Sequence, residues 1–231
     1  MKSYRKAALL LSIFGAVACR GAEPAVGARC EFDSKSELLK NGQIHGAVMV
    51  SNKTRFLFID EPTASDKKAL AVEAKNSSGF LIFRIAGVDL KKYPCMRWRW
   101  RVVRRLNLPV NAAAEEPDDQ VCVIYIADGS KVNQKCVGYR WEHNTKVGVT
   151  KMLNYGGVRK VRTFCLRNAA TPAGEWVEEE RNVLEDYKQA FGKAPSSRFV
   201  IIIGGNSQNT NSDTRAEIDY IEFRSAPKSA K

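Results

Sequence analysis

A chain of 231 residues, 44% of them hydrophobic, is long enough to bury a full core, and one all-β domain of this size is ordinary. Its 37 Lys and Arg against 25 Asp and Glu give a formal net charge of +12. That charge suits anionic polysaccharide, sulfated glycan or phospholipid surfaces, but no recognition motif accompanies it, so nucleic acid is not an expected partner.

The first 18 residues have the layout of a secretory signal peptide. Lys2, Arg5 and Lys6 form a basic start, Ala7–Phe14 is an apolar run too short to span a bilayer, and Ala16-Val17-Ala18 is a small-x-small cleavage site. The expected location is therefore periplasmic, cell-surface or secreted, and no later segment is long and apolar enough to cross a membrane. Cys19 leaves two readings open. Ala16-Val17-Ala18-Cys19 resembles a bacterial lipobox without its usual leucine, in which Cys19 is lipidated and supplies the only membrane attachment. Ordinary cleavage near Ala18 gives a soluble exported protein instead. Either way Lys2, Arg5 and Lys6 are lost and the chain stays basic. The remaining cysteines are Cys30, Cys95, Cys122, Cys136 and Cys165, with no C-x-x-C spacing. Disulfides are the physical default in an exported chain, and spacing does not give their pairing.

Residues 19–29, rich in Pro, Gly and Ala, read as a flexible lead-in to a single domain over 30–224. Cys30–Phe32, Ala47–Ser51, Arg55–Ile59, Ala69–Ala74 and Phe80–Ile85 are short β-rich runs between turn and loop signals. Cys95–Val103 organises the rest. Met96, Trp98, Trp100 and Val102 alternate with Arg97, Arg99 and Arg101, and successive strand side chains point to opposite faces. One face is therefore apolar and the other cationic. Leu106–Asp119, with Pro109, three alanines and acidic residues, predicts a long surface loop. Gln120–Ala127 and Lys135–Trp141 are strands joined through Asp128-Gly129, a hairpin signal. Thr145–Tyr155 is weakly patterned, while Val158–Leu166 and Glu175–Glu180 are further strands.

One short helix is expected near 182–191. Asn182 caps it, Glu185 takes the capping-box position, and Leu184, Tyr187 and Phe191 share a face. Gly192 and Pro195 stop it. Phe199–Gly204 is an apolar strand, Gly205–Asp213 a polar loop, Arg215–Arg224 the closing strand, and residues 225–231 a loose tail. About ten short strands with turns between them point to an all-β, antiparallel sandwich, with the Trp/Met face of the central strand buried between opposing sheets.

Several segments together resemble a family of exported bacterial proteins of unknown function. They are Tyr93-Pro94, Met96–Arg101, Asp118-Asp119 leading into Val121–Tyr125, Tyr139-Arg140-Trp141, Trp176-Val177-Glu178 and, most specifically, Arg181–Gly192. The resemblance runs in order from about Cys30 to Arg224 and implies a jelly-roll sandwich similar to carbohydrate-binding modules, without an established activity. One departure stands out. Where the family tends to carry Asp-x-Asp-Asn-Thr before the last strand, this chain has Asn206-Ser207-Gln208-Asn209-Thr210. Amides replace both carboxylates, so the charge a tight calcium site needs is missing; calcium is a doubtful ligand and no cofactor is expected. Asn206 and Asn209 instead offer hydrogen bonds to a polar ligand.

Candidate binding residues follow from these patterns. Arg97, Arg99 and Arg101 present planar forks suited to uronate, sulfate or phosphate. Half-buried arginines are normally paired, so Glu178, Glu180 and Asp186 compete for them. Asp118 and Asp119 are a cation-ligand pair or, since adjacent strand residues diverge, an ion-pairing residue and a turn cap. Trp141, near a strand end before His143-Asn144, is the accessible tryptophan if any is, and would serve as a sugar-stacking platform. Trp98, Trp100 and Trp176 fit core faces. No nucleophile signature surrounds His45 or His143, and no two carboxylates are brought together by sequence. The leading expectation is an exported, non-catalytic sandwich that binds a polysaccharide or other envelope polymer, anionic in character. The alternatives are an envelope lipoprotein that contacts another protein, and a glycan-active enzyme.

Overall fold

The structure is a computed structural model that describes residues 25–33, 43–46 (backbone only), 53–85, 87–108, 118–130 and 132–227. The N-terminal segment 1–18, Cys19 and the lead-in to residue 24, the run Ala47–Ser51, residues 109–117 of the long loop and the end of the tail lie outside the described residues. Thirteen strands are described: β1 (Val26–Glu31), β2 (Gln43–Gly46), β3 (Arg55–Asp60), β4 (Lys68–Lys75), β5 (Ser78–Phe83), β6 (Cys95–Arg104), β7 (Gln120–Ser130), β8 (Asn133–Trp141), β9 (Thr150–Tyr155), β10 (Arg159–Arg167), β11 (Val177–Asn182), β12 (Val200–Asn206) and β13 (Asp213–Arg224). Helix α1 (Val183–Phe191) is the one helix among them.

The strands form two facing sheets, an all-β sandwich. The first has the order β11-β6-β13-β4-β3, with β1 against the second half of β13 where β4 has ended. The second has seven strands in the order β2-β5-β12-β7-β8-β10-β9. All pairs are antiparallel except β8 with β10. Strand β1 corrects the lead-in reading: Val26–Arg29 belong to a strand paired with β13, and Ser225 is tied back to Ala25. Thr150–Tyr155 was weakly patterned for a physical reason, since β9 is an edge strand exposed along most of its length. Strand β12 extends to Asn206, two residues into the expected polar loop.

The alternation in Cys95–Val103 fixes where the core sits. Met96, Trp98, Trp100 and Val102 are fully buried. Trp98 packs on Tyr139 at 5.1 Å between ring centroids and Trp100 on Trp141 at 5.4 Å, so β6 of one sheet meets β8 of the other through four aromatic rings. Rings of this size each remove about 150–250 Å² from water, which at roughly 25 cal/mol per Å² makes this ladder a leading source of stability. Trp141 is thus a core residue, 1% exposed, and cannot be the stacking platform. Strand β8 does not end before it: Val137, Tyr139 and Trp141 keep the inward phase, and the segment after it is pinned by Glu142 and Ala169 backbone bonds.

Helix α1 is capped as its sequence predicts. The Asn182 side chain accepts from the Glu185 amide at 3.1 Å, and Gly192 takes a left-handed φ of 72°. The buried stripe is Val183, Asp186 and Tyr187 rather than Leu184, because Asp186 turns inward to accept from the Tyr139 hydroxyl at 2.8 Å and from Arg181. The described cysteines, Cys30, Cys95, Cys122, Cys136 and Cys165, are all free thiols. The disulfide expectation is corrected: these cysteines occupy mostly inward or packed positions that serve as small apolar core sites.

Candidate functional site

The cationic face of β6 is on the outside of the first sheet, and its charges are satisfied. Arg97 bonds Glu178 and lies 3.8 Å from Glu222; Arg99 donates to Asp219 at 2.8 Å; Arg101 reaches Glu217 and Glu61 at 2.5 Å each. The carboxylates come chiefly from the neighbouring strands, where β11 and β13 place Glu178, Glu217 and Glu222 beside the arginines in register. Asp186 is not among them, since Arg181 and Tyr139 occupy it. Trp176, expected in the core, covers this network instead. Its ring lies 5.0 Å from the Arg99 guanidinium and 4.4 Å from that of Arg101, and its indole N–H donates to Thr63. The position precedes β11, so strand phase does not turn it inward, and cation–π contact holds it on the surface.

The other outer face offers a groove. Along β7, Cys122, Ile124 and Ile126 point into the sandwich, while Val123, Tyr125 and Ala127 point out. A strand apolar on both faces leaves apolar surface outside the core. Ala127, Cys136, Val161 and Ile202 form a second apolar cluster there, with Phe80, Ile82, Tyr125 and Leu153 packed against it. Two glycines shape it. A Cβ on Gly138 would stand 2.4 Å from the Tyr125 ring, and one on Gly204 2.7 Å from the Phe80 ring. Their absence lets both rings lean across the neighbouring strand, with centroids 6.5 Å apart. The resulting groove has a volume of about 250 Å³.

One end of the groove is polar. Asp118 stands at its lip, with its side chain about half exposed, and binds Arg140 at 2.8 Å and the Tyr155 hydroxyl at 2.7 Å. Arg140 is buried behind it and also bonds Gln120 and Glu142. Burial alone would lower this guanidinium, but the Glu142 and Asp118 carboxylates beside it oppose that and keep Arg140 charged. Burial pushes the Tyr125 phenol up to about 12, and burial with Tyr125 and Asp118 nearby raises Tyr155 further. Both phenols are therefore neutral hydrogen-bonding groups. Asp118 is the one carboxylate among the described residues lining the groove.

The remaining sequence candidates divide between lip and scaffold. Asp119 is 3% exposed, and its carboxylate accepts from the backbone and side chains of Asn209 and Thr210, so it clamps the loop after β12. Asn209 is spent on that clamp. Asn206 lines the groove, yet its amide donates to the Asp118 carbonyl at 2.7 Å and accepts from Gln208. Asp118 and Asn206 are thus brought together, while Arg97, Arg99 and Arg101 lie on the opposite sheet. Among the described residues no three His, Cys, Asp or Glu side chains are placed to hold a metal ion. Phe80, Tyr125, Tyr155, Arg159 and Gln208 were not singled out by sequence. The signal that marks them is the double-sided apolar pattern of β7 opposite two glycines.

Solved structures resemble the chain at low identity. The family 11 carbohydrate-binding module of a cellulosomal cellulase from Clostridium thermocellum aligns at a TM-score of 0.47 and 11% identity, over 90% of this chain and 99% of that one. A conserved carbohydrate esterase of the Shiga toxin-encoding bacteriophage phi24B aligns at 0.43 and 14%, over 87% and 99%. A xylan-binding domain from Paenibacillus barcinonensis aligns at 0.42 and 8%, over 90% and 97%. No curated protein matches the chain significantly. Residues 47–222, most of the sandwich, match one family throughout, and the chain belongs to that family, the proteins of unknown function DUF3047.

Proposed function

We propose that this protein is an exported binding protein whose groove on the seven-stranded sheet holds a glycan or a related cell-envelope polymer. The observation that carries the reading is the groove itself: an apolar floor with the Phe80 and Tyr125 rings, closed at one end by neutral and charged hydrogen-bonding groups. Sugars match that division. Their C–H faces pack on aromatic and aliphatic surface, and their hydroxyls seek fixed polar partners. The basic start, apolar run and small-residue cleavage signal of residues 1–18 support export. Binding rather than hydrolysis is favoured because glycoside hydrolysis ordinarily needs a second carboxyl group facing the first, and Asp118 is committed to Arg140 and Tyr155.

Calorimetric titration against a panel of neutral, uronic and sulfated glycans tests the reading. The wild type is expected to bind at least one polymer, and Phe80→Ala and Tyr125→Ala to weaken it at least tenfold while near-UV circular dichroism shows the fold intact. Absence of binding across the panel overturns the proposal. A lipid on Cys19 is a separate matter, read directly from the mass of the mature N-terminal peptide.

A further inference from the structure

We infer that the ligand of this groove is anionic and that Arg159, supported by Lys151, selects it; the inference rests on the glycan-binding reading. It assigns charge selection to residues other than the arginines of β6.

From His143 to Gly174 the sequence contains no Asp or Glu, yet it carries Lys146, Lys151, Arg159, Lys160, Arg162 and Arg167. This acid-free segment folds as the β9–β10 hairpin, which forms one wall of the groove. Register puts Lys151, Leu153 and Tyr155 of β9 opposite Thr163, Val161 and Arg159 of β10. Val161 and Leu153 belong to the groove's apolar cluster, so the same face carries Lys151 and Arg159. Arg159 lines the groove directly. Lys151 lines a second hollow, also about 250 Å³, that shares Asp118 and Tyr155 with the first.

The two cations differ from the paired arginines elsewhere on the sheets. Arg97, Arg99, Arg101, Arg140, Arg167, Arg181 and Arg215 each have a carboxylate within salt-bridge distance. Among the described residues no salt bridge includes Arg159 or Lys151. The acids nearby do not cancel them. Asp118 is held by Arg140 and Tyr155, while Asp119 and Glu142 are 3% and 5% exposed and already bonded. A half-buried guanidinium without an acid, facing an open groove, offers its fork to a carboxylate or sulfate. The low-dielectric apolar floor beside it weakens screening of that contact by salt.

The test uses the full mature chain with polygalacturonate, its neutral methyl ester and dextran sulfate, titrated into the wild type, Arg159→Gln, Lys151→Gln and Arg198→Gln. Arg198 is an exposed arginine outside the groove, so its loss removes the same charge without touching the wall. The expected result is binding of polygalacturonate at least tenfold tighter than the ester. Arg159→Gln should then lose at least tenfold on the acid form only, Lys151→Gln about threefold, and Arg198→Gln nothing. Dextran sulfate binding with the same dependence on Arg159 also supports the inference and makes sulfate the anion. Equal binding of acid and ester, unmoved by Arg159→Gln, overturns the inference and leaves the glycan groove standing. A loss with Arg198→Gln as large as with Arg159→Gln overturns it as diffuse charge attraction. Absence of binding to every polymer, including neutral glycans, overturns the glycan reading beneath it.

Discussion

Single atoms decide the shape of the groove floor. Gly138 has an ordinary backbone conformation, so its value is the space it leaves: a Cβ would sit 2.4 Å from Cδ1 and Cε1 of Tyr125. Gly138→Ala must therefore displace the ring, and overpacking of this kind costs about 1–3 kcal/mol. At roughly 2–4 °C per kcal/mol for a domain of this size, the melting temperature should fall by several degrees. Glycan binding should weaken in the same variant, because the ring that moves is floor. A calorimetric melt and a titration on one sample check both, and an unshifted melt with unchanged binding would show that Tyr125 does not depend on Gly138. Sequence alone could not reveal this, since a strand glycine has many explanations. The tryptophans teach a related lesson. Trp98 and Trp100 were readable as core from alternation within one strand, whereas Trp141 and Trp176 sit at strand ends, where phase depends on how the chain continues.

At the level of the element, β6 was the most legible part of the fold and the least legible part of the site. Alternation placed three arginines on one face but said nothing of which strands flank it. Pairing of β6 with β11 and β13 brings Glu178, Glu217 and Glu222 beside the arginines, a non-local fact absent from the local pattern. The consequence is testable in stability rather than in binding. Asp219 has a side chain 1% exposed, and Arg99 is its cationic partner, with Ser65 supplying the other hydrogen bonds. Arg99→Gln leaves a buried carboxylate without a cation, which should cost about 3 kcal/mol. Arg97→Gln should cost less, because Glu178 is 42% exposed and Glu222 keeps Arg29 and Arg224. Urea unfolding of both variants, with Asp219→Asn added to the first, gives the comparison. Partial recovery in the double variant is expected, and groove binding should stay at the wild-type level in both single variants. Equal losses at Arg97 and Arg99 would contradict the assignment of Asp219 as the buried partner.

Across the whole molecule, the pattern of buried thiols ties stability to pH. Burial pushes Cys122, Cys136 and Cys30 from 9.0 up to about 12, with Asp33 and Glu31 adding to the effect at Cys30. Unfolded chains hold these thiols at ordinary values. Below pH 9 both states keep the protons and the groups favour neither. As pH rises from about 9 toward 12, the unfolded state ionises and the folded state does not, so unfolding is favoured progressively. Tyr125, raised from 10.0 to about 12, acts in the same direction over the upper part of that window. The urea midpoint should therefore hold steady between about pH 7 and 8.5 and fall steeply above 9. Replacing Cys122 and Cys136 with Ala should lower stability at neutral pH through lost packing and flatten the alkaline slope. The thiol-reactive reagent DTNB at pH 8 should label the native protein slowly and the urea-unfolded protein at once, for the same reason that the folded thiols resist ionisation. A steep slope that survives both substitutions would assign it to other groups, with the Cys30 thiol and the tyrosine phenols first in line.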